Sequence, residues 1–181
     1  MRKKITLIAL FLGLAALLVG AYLIYKQFGG ELDLPEVAGP TDILEAPDFH
    51  AETQAGAPVS LSDFFGRPTI VYFWTSWCTW CTRGMEELER FHTEADDIQI
   101  LAVNLPHLGG SPDELARGRA FMEEHGFAFV SLYDVHGEAQ SAYDITGVPM
   151  ALFIDSDGTL VHSQLGFLDM DGLAHFAAML S

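Results

Sequence analysis

Residues 73–83 read FWTSWCTWCTR, and the reading of this stretch decides the fold. Upstream, Thr69–Thr75 (TIVYFWT) is an unbroken β-branched and aromatic run, the pattern of a strand buried on both faces. Downstream, RGMEELERFHTEA sets Met85, Leu88, Phe91 and Ala95 at helical spacing, with one apolar stripe. Cys78 and Cys81, the only cysteines in the chain, lie where the strand gives way to the helix. That places Cys78 at a helix N-terminus, where free N–H groups and the helix dipole stabilise a thiolate. Cys81, one turn on, faces the same side and can close onto Cys78. Being deeper, it is the expected resolving thiol.

Other uses of the pair fit less well. Attachment of c-type haem needs a histidine directly after the second cysteine, and position 82 is Thr. Structural zinc takes four ligands, typically from two close pairs. Here there is no second cysteine pair, and the nearest two of the seven histidines are 11 positions apart. A staple across so short a loop adds little to stability in the chain-entropy picture. A soft copper(I) site using Cys78, Cys81 and Met85 remains an open alternative, because thiolates and thioethers suit that ion. The redox couple is the favoured reading, with no metal and no cofactor beyond the cysteine pair itself.

Working outward, residues 46–64 carry a hairpin with a Gly-containing turn at 54–58. Ile98–Leu105 (IQILAVNL) is a second buried strand. Residues 112–125 form a helix with Ser111 as N-cap and Pro112 first. Ala128–Leu132 is a strand and Glu138–Tyr143 a short helix. Met150–Asp155 and Thr159–Leu165, joined by SDG, make a hairpin, and Met170–Leu180 is a terminal amphipathic helix. Strands and helices alternate first and a hairpin closes the sheet, which implies an α/β fold with a mixed central sheet flanked by helices.

Three segments now carry a resemblance. APDF…VSLSDFFGRPTIVYFWTSWC, IQILAVNL, and YDITGVPMALFIDSDGTLVHSQLG together resemble the membrane-anchored TlpA/ResA/CcmG branch of thioredoxin-like proteins. These are thiol-disulfide oxidoreductases of the bacterial cell envelope. The resemblance covers residues 46–181. It implies a thioredoxin fold with an N-terminal β-hairpin extension, catalytic Cys78 and Cys81, and a cis peptide at Val148–Pro149 beside them. The backbone at Val148 is then free to pair with an extended substrate strand. Trp77, Thr79 and Trp80 around Cys78, with Val148 and Pro149, are the expected contact surface for a client, while Trp74 belongs to the core. The family also implies protein thiols or disulfides as substrates, a membrane electron donor, and reduction of apocytochrome c or of other cysteine sites. Net oxidation of clients is the alternative within the class.

The chain departs from the family pattern in three places. Thr79-Trp80 stands between the cysteines, where proline usually precedes the second and accompanies reducing members. Tyr72 stands where thioredoxins place a buried Asp, and Gly84 where several envelope relatives carry Glu. Glu86 and Glu87 are the nearby carboxylates in sequence, on what reads as a solvated helix face. Arg83 is a candidate thiolate stabiliser. The Gly-rich loop HLGGSPDE at 107–114 is a candidate border of the site.

The N-terminus has its own logic. Ile5–Tyr25 holds 21 residues without a charge, enough for a helix of roughly 31 Å at 1.5 Å per residue, about the hydrocarbon thickness of a bilayer. A cleaved signal peptide is the rival, but its apolar region is shorter and ends at a small-x-small site, which YLIYK does not offer. Arg2, Lys3 and Lys4 precede the span and orient residues 1–4 to the cytoplasm. The expected organisation is therefore an anchor at 5–25 in the inner membrane, a linker at 26–45 rich in Gly, Pro and acids, and an extracytoplasmic thioredoxin-like domain at 46–181. Beyond Lys26 only five arginines face all 25 acidic residues, a balance of −20. Such a surface repels nucleic acid and anionic lipid.

Overall fold

The run TIVYFW is buried at every position, as its lack of polar alternation demands, and the sheet is built around it. The computed structural model describes residues 17–20, 22 and 44–181. Its strands are β1 (Leu44–Glu45), β2 (His50–Thr53), β3 (Pro58–Ser60), β4 (Thr69–Trp74), β5 (Gln99–Asn104), β6 (Val130–Tyr133), β7 (Met150–Ile154) and β8 (Thr159–Leu165). Its helices are α1 (Thr79–Glu94), α2 (Glu114–His125), α3 (Glu138–Ala142) and α4 (Met170–Ala177), with a 3₁₀ turn at Leu61–Phe64. The eight strands form one mixed sheet in the order β1-β8-β7-β4-β5-β6-β2-β3. Strand β4 is central, parallel to β5 (Ile70 opposite Ile100) and antiparallel to β7 (Ile70 opposite Phe153).

Alternate residues of β4 point to opposite faces, so one strand feeds two cores. Ile70, Tyr72 and Trp74 pack with Met85, Leu88 and Phe91 of α1 and Leu173 and Ala177 of α4. Val71 and Phe73 pack with Phe49, Leu61, Ala139 and Ile145 on the other side. Having both faces covered is what lets the central strands read as continuous apolar runs.

The expected hairpin at the start of the domain is present as β2 and β3, with Gly56 at φ 80 in its turn. The closing hairpin β7–β8 is present too. Several boundaries differ from the sequence reading: the last helix stops at Ala177 and not at Leu180, the ends of other elements differ by one residue, and three larger differences involve partners from other elements. Leu44 and Glu45, assigned to the linker, pair with Leu160 and Thr159 of β8 as β1. Helix α2 opens at Glu114 with Asp113 as cap. Ser111–Asp113 instead make a turn closed by Glu114 N–H donating to Ser111 O at 3.3 Å. Strand β6 runs Val130–Tyr133, starting two residues and ending one residue later than expected, and its bounds are those of its pairing with Leu101–Asn104 of β5.

The membrane span expected at 5–25 and most of the linker lie outside the described residues, apart from helical residues 17–20 and 22. Among the described residues no helix is long and apolar enough to cross a membrane.

Candidate active site

Strand β4 ends at Trp74, and the chain turns through Thr75–Trp77 into α1. Cys78 is the N-cap of that helix. Its Sγ accepts the N–H of Cys81 at 3.1 Å and its carbonyl accepts the N–H of Thr82 at 3.2 Å. A sulfur thus occupies the place of the capping oxygen at a helix start. No acid lies in the first turn of α1, so nothing there offsets the positive end of the helix dipole. Cys78 and Cys81 are joined by a disulfide, with Cα atoms 5.2 Å apart. Cys78 is 8% exposed and Cys81 fully buried, so a partner can reach only the first sulfur.

Most of the other residues singled out in the sequence gather here, though Glu86 and Glu87 do not. The Val148–Pro149 peptide is cis, and Val148 O lies 3.8 Å from Cys78 Sγ. Trp80, Val148, Pro149, Gly166 and Phe167 line a shallow apolar cleft of about 460 Å³ beside the disulfide. Trp77 and Trp80 are about half exposed, while Trp74 is buried. Thr79, the first residue of α1, is exposed. Gly109 of the loop at 107–110 packs on the Trp77 ring, and a side chain there would strike the indole at 2.8 Å. The Gly-rich loop therefore does border the site.

Arg83 stacks over Trp80 at 4.9 Å and over Phe167 at 5.5 Å, a cation–π sandwich that turns its charge toward the aromatic wall. Glu87 pairs with Arg90 one turn on, and Glu86 is exposed. Met85 is fully buried in the core beneath the pair.

The two family departures at 72 and 84 turn out to be one feature. Tyr72 donates its hydroxyl to the Cys81 carbonyl at 3.2 Å. A β-carbon at Gly84 would overlap that hydroxyl. The tyrosine thus fills the volume that a side chain at 84 would need. Burial holds the Tyr72 hydroxyl well above the usual tyrosine range, so it stays protonated and serves as a donor.

Sequence reasoning missed three contributors. Phe167 lies beyond β8, in a loop with no periodicity to mark it. Asn104 reads as the polar end of a strand. Glu114 reads as an ordinary acid in a first helical turn, yet it is fully buried. Only the tertiary fold brings these to positions 74–80.

Comparison with known proteins gives a consistent result. The AhpC/TSA family matches residues 44–163. The thiol-disulfide oxidoreductase ResA of Geobacillus thermodenitrificans is 31% identical over 153 residues, 83% of this chain and 80% of that protein. The thiol:disulfide interchange protein DsbE of Allochromatium vinosum is 25% identical over 171 residues, 93% of this chain and 86% of that protein. Among solved structures, the exposed lipoprotein thioredoxin Etrx1 of Streptococcus pneumoniae superposes with a TM-score of 0.64 at 26% identity, covering 73% of this chain and 98% of that one.

Proposed function

The chain belongs to the AhpC/TSA family and is a thioredoxin-like thiol-disulfide oxidoreductase of the TlpA/ResA/CcmG branch, and from that premise we propose that it reduces cysteine sites of envelope proteins, apocytochrome c among them. One observation supports this most strongly: a solvent-reachable sulfur capping a helix, with an inaccessible partner one turn behind it.

In the reduced protein the Cys78 thiolate attacks one sulfur of a client disulfide. A Cys78–client disulfide forms, and the other client sulfur leaves as a thiolate that takes up a proton. Cys81, deprotonated in turn, attacks Cys78 Sγ and expels the second client sulfur. Two electrons pass to the client, which leaves as a dithiol, and the Cys78–Cys81 disulfide remains. A membrane dithiol donor returns two electrons to that disulfide.

The Val148 carbonyl and the apolar cleft beside it suit an extended client segment presenting its sulfur to Cys78. In this reading residues 5–25, the uncharged apolar run of the sequence, anchor the domain to the outer face of the inner membrane, and the cysteine pair works without a resident metal. The acidic surface favours basic or neutral client segments over anionic ones.

The direction of electron flow is tested by the potential of the pair against glutathione. A value toward the thioredoxin end, near about −270 mV, supports reduction, whereas one near about −120 mV assigns net oxidation of clients instead.

A further inference from the structure

Beneath the active-site turn lies a carboxylate that the exchange steps do not use. Glu114 opens α2 and has no exposed surface. It accepts the backbone N–H of Ser76, the Ser76 hydroxyl at 2.6 Å, and Asn104 Nδ2 at 3.0 Å. Arg117, one turn on, holds a guanidinium nitrogen 3.7 Å from it. Asn104, at the end of β5, also reaches toward the Trp74 carbonyl at 3.5 Å. A glycine at 118 makes room for this packing, since a β-carbon there would lie 2.8 Å from the Asn104 amide. The ends of β4 and β5 and the start of α2 thus converge on Ser76.

A carboxylate removed from water is stable only when its lone pairs are satisfied, and Ser76 supplies two of the three short hydrogen bonds. Ser76 is two residues before Cys78. While the disulfide is closed, Cys81 itself ties Cys78 to α1. Once it opens, the sulfur loses that tie; the Cys78 carbonyl still accepts the N–H groups of Cys81 at 3.0 Å and Thr82 at 3.2 Å, and on the other side Cys78 is held by its N–H bond to Thr75 O, 3.2 Å, and by whatever holds Thr75 and Ser76.

We propose that Glu114 is a positioning residue for disulfide exchange, clamping Ser76 by backbone and side chain so that Cys78 Sγ stays on the helix N-terminus in the reduced protein. This rests on Cys78 being the attacking sulfur.

The test is the pH profile of Cys78 alkylation by iodoacetamide in the reduced full chain. Glu114→Ala removes the clamp, and the midpoint moves about one unit higher, a roughly tenfold slower reaction below it. Glu114→Gln keeps an oxygen for the Ser76 N–H and restores most of the rate. Ser76→Ala removes the hydroxyl arm alone and gives a smaller shift in the same direction. A wild-type profile in Glu114→Ala overturns the proposal; so does one in Ser76→Ala, the deciding variant if Glu114→Ala does not fold. Glu114→Gln reacting as slowly as Glu114→Ala also overturns it. A parent chain that alkylates at Cys78 but exchanges with no protein disulfide overturns the functional reading instead.

Discussion

At the scale of single residues, Tyr72 and Gly84 show how two departures from a family pattern become one arrangement. The Tyr72 hydroxyl occupies the space above Gly84 and holds the Cys81 carbonyl. Gly84→Ala forces an overlap in a filled core, and unfolding by denaturant should show a loss of about 1–3 kcal/mol. Tyr72→Phe alone loses one hydrogen bond, about 1 kcal/mol. In the Phe background the cost of Gly84→Ala should shrink, because the atom it strikes is gone. Equal costs in both backgrounds would show that the two sites are independent. The sequence exposed the cysteine pair, the strand before it and the helix after it, because their chemistry is local. The Tyr72–Gly84 contact was not legible, since nothing in a linear chain says which volume a tyrosine from β4 fills.

At the scale of elements, caps decide where short helices begin. Helix α3 has only five residues and cannot nucleate alone. Asp134, buried at the end of β6, accepts the N–H groups of Ala139 at 3.1 Å and Gln140 at 2.9 Å. Asp134→Ala strands those donors in the core. A destabilisation of about 1–3 kcal/mol is expected in denaturant melts, with Cys78 alkylation unchanged. A buried partner likewise sets a boundary that local signals misplace. Ser111-Pro112 carries the signature of a helix start, yet α2 opens at Glu114 because that residue turns inward to Ser76. Capping propensity is a local preference, and a buried hydrogen bond from another element overrides it. The two-residue β1 was likewise hidden, being defined by pairing with β8 and not by any pattern of its own.

At the scale of the whole molecule, long-range pairs join parts that sequence leaves far apart. His50 of β2 and Glu138 of α3, 88 positions apart, meet at 2.8 Å. The hydrogen bond to Glu138 raises the His50 pKa, and the same bond lowers that of Glu138. The imidazolium's share of stability is present below its ordinary 6.5 and fades as pH rises through its raised value. The carboxylate's share is present above its ordinary 4.5 and fades as pH falls through its lowered value. The pair is therefore fully formed between these two limits. Proton NMR should find His50 titrating above the ordinary histidine range in the parent and within it in Glu138→Gln; an unchanged midpoint would mean the contact is not made in solution. The order of strands and helices, the mixed sheet and the two-sided core follow from runs and spacings in the chain. The aromatic cleft does not, because Phe167 is far from Trp80 along the chain and only the fold brings their rings to 5.7 Å. All of this structure converges on one sulfur held at the start of α1. The most direct check is the titration of Cys78 in the reduced full chain, followed by its alkylation rate against pH. A thiolate held on the helix N-terminus gives a midpoint clearly below about 8.5, the value of a free thiol, with the reaction lost in Cys78→Ser; a midpoint at or above that value contradicts the assignment of Cys78 as the attacking sulfur.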